Sequence, residues 1–175
     1  METIADAYEQ NARIHENLNS VVADLTPEQL KTRPDGEKWS VQEIVEHIAM
    51  VYEGSGRICA KLVAEARSAA KPGDGKISLS QEFGQKAQTI AGMKVEAPER
   101  VHPTGEATLD QSFEKIDETN RFFETLRADL ESFDLADHTF PHPYFGQITA
   151  AEWLVLAGGH AARHTKQIER LKERL

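Results

Sequence analysis

Ser40-Val41-Gln42-Glu43-Ile44-Val45-Glu46-His47-Ile48-Ala49-Met50-Val51-Tyr52 carries its apolar side chains at three- and four-residue spacing, at Val41, Ile44, Val45, Ile48, Val51 and Tyr52. That is the period of a helix with one buried face. The stretch opens on a capping box: the Ser40 hydroxyl can accept from the third amide while Glu43 reaches back to the Ser40 amide, so the helix starts here. The stripe passes Gly54-Ser55-Gly56, where a bend is expected, and continues through Ile58, Leu62 and Val63 to about residue 68. Lys71-Pro72-Gly73-Asp74-Gly75 then ends it.

Working outward, three more stretches show the same period. Residues 4–24 place Ile14, Leu18, Val21, Val22 and Leu25 on one stripe, and Thr26-Pro27 then caps a short helix before the turn Arg33-Pro34-Asp35-Gly36. Residues 108–132 turn Leu109, Phe113, Ile116, Phe123, Leu126 and Leu130 inward. The last stretch opens on the capping box Thr149-Ala150-Ala151-Glu152 and runs through Trp153, Leu154, Leu156, Ala157, Ala161, Thr165 and Ile168. Residues 71–105 read as a long connection with one helical turn near 81–88, and 133–147 as a second irregular piece holding Pro141 and Pro143. No alternating run is long enough to suggest a sheet. The expectation is one all-α domain over residues 1–175, a four-helix bundle of helices roughly 30 to 40 Å long.

Composition narrows the function. Twenty Lys and Arg face 29 Asp and Glu, a net charge of -9, and such a field repels phosphate backbones and anionic membrane surfaces. Neither nucleic acid nor membrane is expected as a partner. The single cysteine, Cys59, forms no internal disulfide, which fits a reducing, cytoplasmic setting. No stretch approaches the 18 or so apolar residues of a membrane span.

Two histidine pairs have four-residue spacing, His138 with His142 and His160 with His164. Seven histidines in 175 residues produce about 0.3 such pairs by chance, so spacing alone decides little. Pro141 and Pro143 interrupt the first pair, which is read as belonging to a loop. The second lies inside a capped helix in line with Trp153 and Ala157. Two buried imidazoles need partners, and a shared divalent cation supplies them. His47, on the apolar stripe with Ile44 and Ile48, is a third candidate, and three imidazoles are a common zinc or nickel set with positions left open. Core histidines with backbone or carboxylate partners remain the alternative at this point. Glu43, one turn before His47, could orient a ligand or act as a base besides capping its helix. His15 is a candidate for the surface or a core hydrogen bond, and Cys59, about 18 Å along the helix from His47, for a buried hydrophobe. A di-iron carboxylate site is excluded, because the one Glu-x-x-His, Glu99 to His102, lies between Pro98 and Pro103. Neither HExxH nor a P-loop is present.

Lys38-Trp39-Ser40-Val41-Gln42-Glu43-Ile44-Val45-Glu46-His47-Ile48 resembles the first signature of the DinB-like superfamily, which also holds the YfiT-like and mycothiol-dependent maleylpyruvate isomerase-like proteins. His142-Pro143-Tyr144-Phe145-Gly146-Gln147-Ile148-Thr149, then Glu152-Trp153 and His160-Ala161-Ala162-Arg163-His164, resembles the second. The resemblance implies an up-down-down-up bundle with a long crossover between the second and third helices. It implies a divalent metal, nickel or zinc, on His47, His160 and His164. It also implies, by analogy with relatives, a small-molecule reaction that uses a low-molecular-weight thiol such as mycothiol, bacillithiol or glutathione, as S-transferase or isomerase, and a homodimer. His142 and Tyr144 would then stand at the mouth of the site. A non-catalytic metal-binding or stress-response module is the alternative. Gly158-Gly159, just before His160, departs from a regular helix and either admits a close neighbour or loosens the site.

Overall fold

A computed structural model describes residues 1–91, 93 and 95–175. Four long helices form the bundle: α1 (Ile4–Val22), α3 (Val41–Ala69), α5 (Leu109–Ser132) and α6 (Ala150–Lys172). Between them lie the short α2 (Pro27–Lys31), α4 (Gln81–Ala91), a 3-10 turn at Glu99–Val101, and a hairpin of β1 (Thr139–His142) with β2 (Gly146–Thr149). α1, α2, α3, α5 and α6 each begin at a Ser or Thr whose hydroxyl accepts from the third amide in a complete capping box. The starts are therefore written locally, in two side chains apiece.

Contacts fix the directions. His47 lies beside His160 while Cys59 lies against the Ala150 carbonyl, so α3 and α6 run antiparallel. Tyr52 meets Asn120 and Arg67 meets Asp129, so α3 and α5 run parallel. Asn11 bonds the Leu154 carbonyl and Lys172 reaches Val21, so α1 is parallel to α6. The order is up-down-down-up, and joining parallel α3 to α5 requires a connection that returns the full length of the bundle. Residues 71–105 do this, apart from 92 and 94, which lie outside the described residues. The chain passes the start of α1, where Ile77 donates to the Glu2 carbonyl and Ile4 to that of Gly75.

α3 sits at the centre, packed on both α5 and α6, and is the most buried helix. Ile44, Ile48 and Leu62 are closed from solvent on it, against Leu18, Ile116, Leu154 and Ile168 of the other three helices. Among the described residues, no helix is long and apolar enough to cross a membrane.

Four expectations are corrected. The piece at 133–147 ends in an antiparallel hairpin pairing Thr139 with Thr149 and His142 with Gly146, too short for alternation to reveal. The connection holds three helical turns in α4, not one, because Phe83 is buried against Phe145. α3 runs unbroken through Gly54-Ser55-Gly56; Gly56 is small because Phe122 and Phe123 of α5 lie 3.3 and 3.4 Å from where its Cβ would be. The buried stripe of α1 is Ile4, Ala7, Tyr8, Asn11, His15, Leu18 and Val22, with Ile14 and Val21 at its margin, because α1 rests mainly on α6.

Candidate metal centre

α3 and α6 bring His47, His160 and His164 together, although 113 residues separate the first two. One ring nitrogen from each lies within 4.8 Å of the others, and the Nε2 atoms of His47 and His160 are 3.1 Å apart. Two imidazoles bound at zinc-like distances to one ion have nitrogens about 3 Å apart, so this pair already has the spacing. The ring centroids are 4.9, 4.9 and 4.5 Å apart.

The rings are oriented from behind. His47 Nδ1 donates to the Val101 carbonyl at 2.6 Å, and His164 Nδ1 to Gln167 Oε1 at 2.8 Å. Each bond places the proton on Nδ1 and leaves the Nε2 lone pair toward the cluster, the arrangement metal-binding histidines use. Burial lowers the pKa of all three; His160 is well below the usual histidine value and His164 near 4. They are neutral at pH 7 and compete with no proton for a cation. Donor type, spacing and the tautomers of His47 and His164 fit a divalent ion.

The Val101 carbonyl is delivered by the crossover, which α3 pins with its own side chains. Glu46, buried, accepts from Thr104 N and Oγ1 at 3.0 and 2.8 Å and from Gly105 N at 2.9 Å. Gln42 donates to the Ala107 carbonyl at 2.8 Å. Trp39 lies over His47 with ring centroids 4.8 Å apart and closes one side. Arg163, whose guanidinium donates to the Met93 carbonyl at 2.8 Å, exerts its charge on all three imidazoles.

Glu43 is engaged elsewhere: Arg33 donates two N–H groups to its carboxylate, and Ser40 N donates to Oε2 at 2.8 Å. Its carboxyl is held below the usual range by those bonds against the opposing effect of burial. In the structure it caps α3 and pairs with Arg33. His138 lies near Glu65, 3.7 Å away, outside the cluster. His142 packs on Trp153 and accepts at Nδ1 from the Tyr144 and Phe145 amides, and Tyr144 donates to the Glu96 carbonyl at 2.6 Å. Cys59 is fully buried and its thiol pKa is pushed up, as expected of an inert core residue. Sequence reasoning missed Val101, Glu46 and Arg163. A backbone carbonyl leaves no signal in side-chain patterning, while Gln167, three residues past His164, could have been found by helical spacing.

Gly158 proves to be the close approach: a Cβ there would stand 1.8 Å from Asn11 Oδ1, whereas Gly159 faces open space. Asn11 Nδ2 bonds the Leu154 carbonyl at 3.1 Å, so α1 docks on α6 through that gap.

Among proteins of known sequence, the chain is 23% identical over 152 residues to the uncharacterized protein YuaE of Bacillus subtilis, spanning 86% of this chain and 88% of that one. It is 26% identical over 158 residues to a Bacillus mycoides protein named "Putative metal-dependent hydrolase BcerKBAB4_2443", spanning 90% of this chain and 79% of that one. Among solved structures it matches TT2238, a four-helix bundle protein, at TM-score 0.62 and 20% identity over 95% of this chain and 98% of that one, a likeness of fold. The sequence model of the DinB superfamily matches residues 10–168, nearly the whole bundle and all three clustered histidines, and the chain therefore belongs to that superfamily.

Proposed function

We propose that the protein is a metal-dependent enzyme in which His47, His160 and His164 hold one divalent cation, nickel or zinc, and that it transfers or isomerises a small molecule with the help of a low-molecular-weight thiol. The observation that carries this reading is the convergence of three neutral imidazoles, two of which, His47 and His164, have their Nδ1 protons held by Val101 and Gln167. With three protein ligands the coordination sphere stays open, as in catalytic rather than structural zinc sites. When bound, the cation supplies Lewis-acid chemistry that lowers the pKa of a thiol or a water near neutral pH. Trp39 shields one side from water, and the Arg163 charge favours an anion such as a thiolate beside the imidazoles. The name of the Bacillus mycoides relative supports a second reading, in which water replaces the thiol and the reaction is a hydrolysis.

Elemental analysis of untagged protein, wild type and His160→Ala, tests the site: about one equivalent of nickel or zinc in the wild type and none in the variant is expected. Metal retained in the variant overturns it. A screen of electrophiles with and without mycothiol, bacillithiol and glutathione separates the two reactions. Turnover only with a thiol supports transfer or isomerisation, turnover without one supports hydrolysis, and no turnover by fully loaded protein points to a non-catalytic module.

A further inference from the structure

The hairpin carries a histidine whose proton is fixed in place. His142 Nδ1 accepts from the Tyr144 and Phe145 amides at 3.1 and 3.3 Å, so this nitrogen presents its lone pair and the single proton of the neutral ring sits on Nε2. Nε2 bonds nothing among the described residues, and in a half-buried ring it is open to solvent rather than sealed in the core. We propose that His142 is a substrate-binding residue of the metal centre, its Nε2–H donating to an oxyanion of the small-molecule substrate. The assignment rests on the reading of His47, His160 and His164 as that centre.

Placement carries it. The His142 ring packs edge-on against Trp153 with centroids 5.2 Å apart, and against Phe145 at 5.1 Å. Trp153 precedes His160 on α6 by two helical turns, about 10 Å along nearly the same face. His142 is also close enough to His160 to disfavour its protonation. Three fastenings hold it there: the pairing of His142 with Gly146, the contact of Phe145 with Phe83, and the bond from Tyr144 to the Glu96 carbonyl. His47 and His164 spend their Nδ1 protons on Val101 and Gln167. Of these three fixed protons, that of His142 alone has no acceptor among the described residues.

Charge selects the acceptor. Arg163 acts on His47, His160 and His164, and Arg100 acts on His142; among the described residues no carboxylate pairs with either guanidinium. A neutral donor beside two such cations suits a carboxylate or phosphate oxygen.

A turn-capping role alone needs only Nδ1. Asparagine supplies that acceptor, because its side-chain oxygen bonds amides two residues on, but it is too short to place a donor where Nε2 stands. His142→Asn therefore separates the two roles. Protein carrying isotope-labelled histidine, with and without zinc, is titrated with acetate and with inorganic phosphate and followed by NMR of the ring nitrogens. The expected result is a His142 ring protonated at Nε2, a saturable shift of that N–H, and binding weakened about tenfold or more in His142→Asn at near wild-type melting temperature and zinc content. A response to acetate identifies a carboxylate, and one to phosphate a phosphate ester. A proton on Nδ1, no saturable shift with either anion, or full-strength binding by His142→Asn overturns the proposal. Should that variant fail to fold, the tautomer and the Nε2 shift of the wild type still decide. Zinc that fails to load overturns the metal reading instead, and the metal-free titration then judges His142 by itself.

Discussion

Gly158 and Gly159 are chemically identical neighbours with opposite expected responses to the same change. Gly158→Ala drives a methyl into Asn11, so α1 must lift from α6 or Asn11 must give up its bond to Leu154. Thermal or denaturant unfolding should show a loss of about 1–3 kcal/mol. Gly159→Ala meets nothing and removes a flexible residue from a helix interior, so a gain of about 0.5–1 kcal/mol is expected. Gln167 is a comparable case at the metal centre. Its oxygen holds the His164 proton on Nδ1, and Gln167→Leu should weaken metal affinity about 10- to 100-fold in a chelator competition while the fold persists. The helical spacing of His160, His164 and Gln167 was readable from the chain, but which nitrogen each ring presents was not.

At the scale of elements, the crossover behaves as a strap tied down by buried carboxylates. Glu152 illustrates it: Oε1 accepts from Ser80 N and Oγ at 2.8 and 2.7 Å, and Oε2 from Thr149 N at 2.9 Å. One residue thus starts α6 and fastens the entry to α4. Glu46 fastens the other end at Thr104 and Gly105, next to the carbonyl that orients His47. Glu46→Ala should cost about 1–3 kcal/mol and speed amide exchange at 99–105. It should also lower metal affinity, although the residue never touches the ion. Glu152→Ala should instead release 80–91 and leave metal affinity near wild type, so the two variants separate the halves of the strap. The capping boxes at Thr3 and Thr108 were found only in the structure, while the others made the starts of α2, α3 and α6 legible. The fastenings were not, because Glu46 and Glu152 look like ordinary surface charge until the returning chain is laid over them.

For the whole molecule, pH acts through histidines that burial keeps neutral. The folded pKa of His142 and of His164 is pushed down to about 4, against 6.5 for an unburied histidine. The unfolded chain binds these protons first, so stability is complete above pH 6.5 and falls as pH drops toward 4. Metal-free protein should lose up to a few kcal/mol across that window in denaturant titrations, and His164→Phe should flatten the slope. The all-helical bundle, the starts of α2, α3 and α6 and the long connection were legible in the sequence alone, since period and capping are local properties of the chain; spacing left the three histidines open, and the resemblance to the superfamily singled them out. The hairpin, the length of α4 and the engagement of Glu43 by Arg33 were decided only in the tertiary structure. Each depends on groups tens of residues apart, and only packing sets whether two such groups share a bond, a clash or a gap.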